Sequence, residues 1–281
     1  MHRIVRKEMV APNTAMFQVE APWIARKAQP GQFIIVRLDE AGERIPLSLS
    51  GWDTVAGTLR LIVQAIGYTT KKMVALNEGD YILDVAGPLG AHTHLPPDGT
   101  LVVIGGGYGA GAVLPNAREA KSGGRRVLGI IGARSKELVL MEEDMRAVCD
   151  EAYVTTDDGS YGIKGVVTDA LKIILDREPV GAILAVGPVP MMRAVSEMTR
   201  PLKIPTLVSL NAIMVDGTGM CGGCRVMVGG ETKFACFDGP DFDGHVVDYD
   251  MLVRRQKMYK PQEALALEHG CKVDEQIRAQ R

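Results

Sequence analysis

The sequence of 281 residues has few aromatic side chains, no long apolar stretch and almost no excess charge. Only 5% of the residues are Phe, Trp or Tyr, which is too few for a surface that stacks nucleic-acid bases. The formal net charge of −2 gives no electrostatic attraction to nucleic acid or to an anionic membrane. No run approaches about 18 apolar residues, and residues 1–7 lack the apolar core of a signal peptide. We therefore expect a cytoplasmic protein with neither nucleic acid nor membrane as partner.

Glycine is abundant, with 32 residues, while the hydrophobic fraction of 46% and the charged fraction of 23% are those of an ordinary globular protein. The length suits two domains with a small third unit. Changes in sequence texture predict three units, which cover residues 1–98, 99–205 and 206–281.

Residues 1–98 contain short apolar-rich β stretches that are separated by turn-forming residues. Strands are predicted at residues 32–38, 44–50, 58–66 and 80–85, with one or two helical turns at residues 69–76. Closely spaced strands of this kind indicate a small β-barrel or sandwich.

From residue 99 onward, strands alternate with helices. Strands are predicted at residues 101–104, 126–131, 152–155 and 182–186, and helices at residues 110–121, 136–148, 166–177 and 189–199. This alternation indicates a parallel sheet flanked by helices. After it come a strand at residues 206–210, a hairpin formed by residues 225–228 and 232–235, and a charged, helical tail from residue 247.

Five cysteines are present, and three of them lie within sixteen residues: Cys221, Cys224 and Cys236. Cys149 and Cys271 stand alone, as a predicted buried apolar residue and a predicted surface thiol. An odd, clustered set of cysteines without an export signal indicates metal chemistry rather than a disulfide framework.

Together with Asp216, the three cysteines give the spacing D-x4-C-x2-C-x11-C. This is the plant-type spacing of a [2Fe–2S] cluster with Asp in place of the first cysteine, and the glycines in between allow backbone N–H groups to turn towards the sulfides. Two alternatives stay open, namely a structural zinc site, for which His245 is a rival ligand, and unligated thiols.

The glycines Gly105, Gly106, Gly107 and Gly109 follow a predicted strand and open a predicted helix. A dinucleotide pyrophosphate needs this arrangement, although a purely structural glycine turn gives the same pattern. Arg134 stands near the end of the next strand, where an acidic ribose-binding residue is usual. It could bind a 2′-phosphate or another phosphate, or lie in solvent, so NAD(H) and NADP(H) both remain candidates.

Several short motifs occur in a fixed order along the chain. They are Arg44-x-Pro46-Leu47-Ser48, Gly67-Tyr68-Thr69-Thr70, Gly87-Pro88-Leu89-Gly90, Gly105-Gly106-Gly107, residues 156–165, Val186-Gly187-Pro188 and residues 214–225. Together they resemble the ferredoxin–NADP reductase superfamily. Within it, the sequence looks most like the small subunits of NADH-dependent reduced ferredoxin:NADP oxidoreductases, also called sulfide dehydrogenases, and dihydroorotate dehydrogenase electron-transfer subunits are near relatives.

The resemblance implies a β-barrel FAD-binding domain, an α/β parallel-sheet nucleotide-binding domain and a small C-terminal [2Fe–2S] module. It places Ser48 near the reactive edge of the flavin, as the one protein side chain that is a candidate for a catalytic role. The remaining residues that it assigns to FAD or the nucleotide are Arg44, Pro46, Leu47, Gly67, Thr69, Thr70, Gly87, Gly105, Gly106, Gly107, Gly109, Arg134, Asp157 and Gly187. Asp216, Cys221, Cys224 and Cys236 are the implied cluster ligands, and Asp216 departs from the four cysteines of the dihydroorotate-linked relatives.

The function implied by the resemblance is electron transfer between NAD(P)H, FAD and a [2Fe–2S] cluster. The implied partner is a larger glutamate-synthase-like flavoprotein with further iron–sulfur clusters, which connects the chain to ferredoxin and makes electron bifurcation a property of the complex. Alternatives are an electron-transfer subunit of a hydrogenase, sulfide or dihydroorotate dehydrogenase. A protein of a different class, a zinc-stabilised nucleotide-binding module without redox activity, is a further alternative.

Overall fold

The structure is a computed structural model that describes residues 1–268. Its N-terminal unit contains β1 (His2–Ala11), β2 (Thr14–Glu20), α1 (Pro22–Ala25), β3 (Phe33–Arg37), β4 (Ile45–Asp53), β5 (Thr58–Gln64), α2 (Tyr68–Ala75), β6 (Tyr81–Ile82) and β7 (Asp84–Leu89). The seven strands form one antiparallel sheet in the order β6-β1-β2-β5-β4-β3-β7. Because only Leu83 separates the two edge strands β6 and β7, the edges meet and the sheet forms a near-closed barrel.

Alternation of apolar and polar side chains explains why β5 adopts this position. Leu59, Leu61 and Val63 point into the barrel and are buried, whereas the residues between them are partly exposed. Strands β1 and β2 lie outside the predicted set. In β1 only Ile4 is buried, so the period-2 signal that identifies a strand is missing from its charged sequence.

The second unit consists of a mostly parallel sheet and its helices. Its elements are β8 (Thr100–Gly106), α3 (Gly109–Ser122), β9 (Val127–Ala133), α4 (Glu142–Val148), β10 (Glu151–Thr156), β11 (Ile163–Lys164), α5 (Val167–Arg177), β12 (Val180–Val186), α6 (Val189–Thr199) and β13 (Thr206–Ser209). All of these strands pair in parallel, and β8 is buried along its whole length at the centre of the sheet. A strand with both faces covered reads as an unbroken apolar run, which is how the sequence identified it.

The helix predicted at residues 136–148 is wrong in one respect. A 3₁₀ turn occupies Lys136–Leu138, and α4 begins only after Met141, which adopts a left-handed φ of 60°. Three acidic residues fill the first turn of α4, where the helix dipole favours negative charge. The acidic sequence therefore marks a new helix start rather than the interior of one long helix.

The last elements are β14 (Arg225–Val228), β15 (Glu231–Phe234), β16 (Asp241–Asp243) and α7 (Tyr249–Gln256). Strands β14 and β15 form a separate hairpin, whereas β16 pairs antiparallel with β13 at the edge of the second sheet. That sheet therefore includes residues from both sides of position 205, and the domain boundary predicted there stays a prediction.

The predicted fold class, a barrel followed by an α/β unit and a small C-terminal module, is confirmed. The tail is helical at α7 and at residues 260–268, and the remainder of the predicted tail, including Cys271, lies outside the described residues. Among residues 1–268, no helix is both long enough and apolar enough to cross a bilayer.

Candidate functional site

The glycine loop between β8 and α3 lets the helix approach the sheet very closely. A Cβ atom on Gly105 would overlap the backbone of Ala110, and one on Gly109 would overlap the carbonyl oxygen of Val186. Gly107 adopts a φ of +56°, which a residue with a side chain rarely adopts. The loop thus directs the N-terminus of α3 to the carboxyl ends of β8 and β12, where an open α/β sheet binds its ligands.

A cavity of about 550 Å³ lies at this edge of the sheet. Of the predicted nucleotide-binding residues, Gly106, Gly107, Arg134 and Asp157 line it, whereas Gly105, Gly109 and Gly187 do not. Arg134 and Asp157 come from the ends of the paired strands β9 and β10 and are both exposed. The cavity has the size of a cofactor site and has an arginine and a carboxylate among its lining residues, which suits a dinucleotide.

A second cavity of about 230 Å³ lies between the barrel and the α/β unit. Pro46, Leu47 and Ser48 of β4 line one side of it, and Gly187 lies on the other. The predicted flavin residues Arg44, Gly67, Thr69, Thr70 and Gly87 are not part of its wall. This cavity is the candidate position of the flavin ring.

Tyr108 lines both cavities, so the nucleotide and flavin candidates adjoin at this side chain. Tyr108 is not among the predicted site residues. Neither are Asn211 and Met214, which line the second cavity and precede the cysteine loop. Their position in three dimensions, not their residue type, identifies them as site residues.

The helix α2, predicted to bind the FAD pyrophosphate, has its N-terminal hydrogen bonds arranged locally. The Thr70 hydroxyl accepts from the backbone N–H groups of Ile66 at 3.0 Å and Gly67 at 2.9 Å. The Thr69 hydroxyl donates to the carboxylate of Glu43 at 2.5 Å. The structure thus uses Thr70 as a helix cap, and the pyrophosphate-binding role of Thr69 and Thr70 stays a prediction.

Two barrel residues of the predicted flavin set lie in different surroundings. Arg44 is exposed just before β4. Gly87 packs inside the barrel wall, where an added Cβ would lie 2.8 Å from Ile34 Cγ2. Gly87 therefore has a packing reason for its small size, and a flavin contact at either residue stays a prediction.

The hairpin β14–β15 brings two of the three clustered cysteines together. Cys224 precedes β14 and Cys236 follows β15, so the strand pairing places their sulfur atoms 3.2 Å apart. Both side chains are almost completely buried, at 2% and 3% exposure, whereas Cys221 is exposed. The hairpin predicted at residues 225–228 and 232–235 is confirmed, and it returns Cys236 to Cys224.

Backbone N–H groups converge on the cysteine sulfur atoms. Gly219 N–H donates to Cys236 Sγ at 3.1 Å, Cys236 N–H to Cys224 Sγ at 3.4 Å, and Gly223 N–H to Cys221 Sγ at 3.4 Å. Positive φ angles at Gly217, Gly219 and Gly222 make this loop path possible. N–H groups that donate to thiolate sulfurs stabilise the negative charge of an iron–sulfur cluster.

Asp216 and Cys221 are turned towards the loop backbone rather than towards the Cys224–Cys236 pair. The Asp216 carboxylate accepts from Thr218 N–H at 3.0 Å and from Cys221 N–H at 3.1 Å. The Thr218 N–H, followed by Cys221, holds the pKa of Asp216 below its usual range. Within residues 1–268, no three His, Cys, Asp or Glu side chains are gathered closely enough to hold a metal ion.

Burial disfavours the thiolate form at the cysteine pair. Burial, followed by the neighbouring Cys224 thiol, raises the pKa of Cys236 to about 12. A metal cation that binds such a thiol stabilises its thiolate form. Three thiols, one carboxylate and converging N–H donors form a donor set that fits an iron–sulfur cluster, and the assignment of Asp216, Cys221, Cys224 and Cys236 as its ligands stays a prediction.

The rival ligand His245 lies elsewhere. Its Nε2 atom is 2.9 Å from the hydroxyl of Thr199 on α6, so the ring is engaged away from the cysteines. Cys149 is buried as predicted, and burial raises the pKa of its thiol to about 12. Neither residue joins the cysteine loop.

Comparison with known proteins bears on this geometry. Residues 211–248 match the family described as the iron–sulfur cluster binding domain of dihydroorotate dehydrogenase B. A dihydroorotate dehydrogenase B (NAD(+)) electron transfer subunit homolog of Thermotoga maritima is 41% identical over 97% of this chain and 96% of its own length. A dihydroorotate dehydrogenase B (NAD(+)) electron transfer subunit of Desulforamulus reducens is 34% identical over 85% of this chain and 94% of its own length. The chain belongs to the family of dihydroorotate dehydrogenase B electron-transfer subunits.

Solved structures extend the comparison. A chain of the NADH-dependent reduced ferredoxin-NADP oxidoreductase, a structure described for flavin-based electron bifurcation, superposes with a TM-score of 0.91 and 41% identity over 96% of this chain and 97% of that chain. Phthalate dioxygenase reductase is 18% identical with a TM-score of 0.55 over 81% of this chain and 86% of that chain, which shows a shared fold alone. The predicted resemblance to the ferredoxin–NADP reductase superfamily is thus confirmed. This chain is an electron-transfer subunit of the flavin- and iron–sulfur-dependent oxidoreductases.

Proposed function

We propose that this chain takes two electrons from NADH or NADPH and delivers them, through bound FAD and a [2Fe–2S] cluster, to a larger flavin- and iron–sulfur-containing subunit. The observation that carries this proposal is the continuity of the three candidate sites. The nucleotide cavity meets the flavin cavity at Tyr108, and the flavin cavity continues through Met214 to the cysteine loop. Each electron transfer then takes place between two adjoining sites of the same chain.

The first part of the path crosses the barrel and the α/β unit. When bound, FAD accepts a hydride and releases electrons singly, which links a two-electron donor to a one-electron cluster. The role of the chain at this step is to bind and orient the flavin, with Ser48 of the barrel and Gly187 of the α/β unit both lining the flavin cavity. Arg134 and Asp157 flank the nucleotide cavity, where Asp157 is suited to ribose hydroxyls and Arg134 to a phosphate.

The second part of the path joins the flavin cavity to the cysteine loop through direct packing. A Cβ on Gly217 would lie 2.8 Å from Ile35 of β3 and 2.9 Å from Leu89 of β7, so the loop lies directly on the barrel. The backbone N–H of Ala91 also donates to the carbonyl of Gly239 at 2.6 Å. Asp216, Cys221, Cys224 and Cys236 are the proposed cluster ligands, held against the flavin domain by these contacts.

The exposed side of the cysteine loop is the proposed exit to the partner. Met220 is 87% exposed and Phe237 is 69% exposed, and each adjoins a proposed ligand, Cys221 and Cys236 respectively. Large apolar side chains at such exposure beside a redox group suit a protein interface. We propose a glutamate-synthase-like partner, which the sequence resemblance implies for the branch in which Asp216 stands in place of the first cysteine of the dihydroorotate-linked relatives.

The composition of the purified chain tests the cofactor assignment. We expect FAD, about two iron atoms and matching acid-labile sulfide per chain, and bleaching of the flavin band by NADH or NADPH under anaerobic conditions. Zinc in place of iron, with no flavin, would contradict the proposal and support a zinc-stabilised binding module.

Substitution at the exit surface tests the partner assignment in the complex isolated from cells. Phe237→Glu is expected to reduce electron delivery to the larger subunit while NADH still bleaches the flavin at the parent rate. Val55→Glu is the matched control, because Val55 is 97% exposed on the β4–β5 turn of the barrel. Equal transfer in both variants would place the interface elsewhere.

A further inference from the structure

Helix α7 lies beyond the residues matched by the cluster-binding family, yet it contacts the cysteine loop. Asp248 caps the helix by accepting from Met251 N–H at 2.8 Å, and Tyr249 and Leu252 are buried. The Tyr249 hydroxyl is also 2.8 Å from Ser196 Oγ on α6. The helix is therefore fixed to the α/β unit on one side, so it can support the loop on its other side.

Two side chains in the last turn of α7 anchor the segment that carries the ligands. Arg255 Nη2 donates to the backbone carbonyl of Gly223 at 2.9 Å, and Gln256 Nε2 donates to the carbonyl of Asn211 at 2.9 Å. Gly223 lies between Cys221 and Cys224, and Asn211 lies at the wall of the flavin cavity. Both ends of the path from flavin to cluster are thereby tied to one helix.

The contact made by Arg255 fixes the orientation of a peptide group next to a ligand. In a trans peptide the carbonyl and the following N–H point in opposite directions, so the Gly223 carbonyl on Arg255 turns Cys224 N–H away from α7. In this orientation the Cys224 N–H can donate to a sulfur of the bound cluster, as the neighbouring N–H groups do to cysteine sulfurs.

The positive charge of Arg255 also favours reduction of the cluster. Its side chain is half-buried, so solvent screens the guanidinium less than it screens a surface cation. Reduction adds one negative charge to the cluster, and a nearby cation stabilises the reduced form more than the oxidised form. The cluster is therefore easier to reduce with Arg255 present than without it.

We propose that Arg255 is a positioning residue for the [2Fe–2S] cluster, holding the Cys221–Cys224 turn and raising the reduction potential of the cluster. The inference rests on the proposed function because it requires the cluster to be bound.

The test is a potentiometric EPR titration of the full chain carrying Arg255→Gln. We expect a more negative midpoint potential and altered g values, with FAD content unchanged. Arg254→Gln is the matched control, since it removes the same charge from the adjacent residue, whose side chain is exposed. The midpoint potential of Arg254→Gln is expected to shift clearly less than that of Arg255→Gln. Arg255→Lys keeps the charge, and its midpoint potential is expected to lie between those of the parent and Arg255→Gln.

Equal shifts in Arg254→Gln and Arg255→Gln, or no shift in either, would overturn the assignment to Arg255. Loss of the cluster from variants at position 255, with FAD and the Arg254→Gln cluster retained, would support the holding role. Absence of a cluster from the parent chain itself would instead overturn the proposed function, so the two failures are distinguishable.

Discussion

Asp144 is the shared acceptor of two arginines that come from different units of the fold. Arg60 of the barrel strand β5 donates to Asp144 Oδ1 at 2.8 Å, and Arg118 of α3 donates to the same oxygen at 2.9 Å. Both guanidiniums also reach the backbone carbonyl of Ser50, at 3.3 and 3.5 Å. Burial, followed by the charge of Arg60, lowers the pKa of Arg118. Asp144 thus holds two like charges together across the junction of barrel and α/β unit.

Replacing Asp144 with Ala leaves both guanidiniums without their carboxylate. A hydrogen bond to a charged group contributes about 1.5–3 kcal/mol when it is shielded from water. The side chains of Arg60 and Asp144 are only 20% and 28% exposed, whereas Arg118 is 41% exposed, so the second bond is discounted for solvent screening. We expect Asp144→Ala to lower the free energy of unfolding by about 3 kcal/mol.

Thermal or denaturant unfolding followed by tryptophan fluorescence measures this loss, because both tryptophans, Trp23 and Trp52, lie in the barrel unit. A loss of about 3 kcal/mol corresponds to a fall in Tm of roughly 6–12 °C for the barrel and the α/β unit unfolding together, a cooperative unit of about 200 residues. Glu8→Ala is the control, since Glu8 accepts from Arg6 at the same 2.8 Å but both side chains are at least half exposed. The control is expected to change stability by no more than about 0.5 kcal/mol. Equal losses in the two variants would refute the role of Asp144 at the junction.

Three further outcomes follow from the site. Burial raises the pKa of Asp241, whose Oδ1 atom is buried with no hydrogen-bond partner among residues 1–268. The folded state therefore binds the proton more tightly than the unfolded state, and stability falls as pH rises above the unfolded pKa of about 3.9. Asp241→Asn is expected to raise Tm at pH 8, by an amount equivalent to about 1–3 kcal/mol, and to raise it little at pH 4. An equal gain in Tm at both pH values in thermal scans would contradict this reasoning. Gly109→Ala places a methyl group on the carbonyl oxygen of Val186. We expect this variant to bind NADH at least about tenfold more weakly, which is about 1.4 kcal/mol, and to retain FAD. Unchanged affinity in a nucleotide titration would count against the assignment of the glycine loop to the nucleotide. Cys224→Ser is expected to abolish the cluster EPR signal while bound flavin remains, and full iron content in that variant would show that Cys224 is not a ligand.

Local sequence patterns were sufficient to predict the second sheet, the cysteine hairpin and the glycine loop. Each of these depends on neighbours in sequence, such as the apolar run of β8 or the spacing of Cys221 and Cys224. Strand β1 escaped prediction because its partners β2 and β6, not its own alternation, hold it in the barrel. Strand β16 is only three residues long and is specified by pairing with β13.

The residues that connect the sites could not be predicted in the same way. Tyr108 joins two cavities, Asp144 bridges two units, and Arg255 contacts a loop 32 residues away in sequence. No periodicity or motif encodes these contacts, because they arise when separate elements meet in the folded chain. The spacing of Asp216 and the cysteines predicted the candidate ligands, and the fold shows which residues contact them.

The central claim is that electrons pass from the nucleotide through the flavin to the cluster within this chain. Its most direct test is an anaerobic EPR measurement of the purified chain after addition of NADH, and then NADPH, with and without bound FAD. We predict flavin bleaching and a reduced [2Fe–2S] signal in the FAD-loaded protein, and no cluster signal after FAD removal until FAD is restored. Equal cluster reduction without FAD would contradict the proposed order, and a colourless, zinc-bearing chain would contradict the redox function itself.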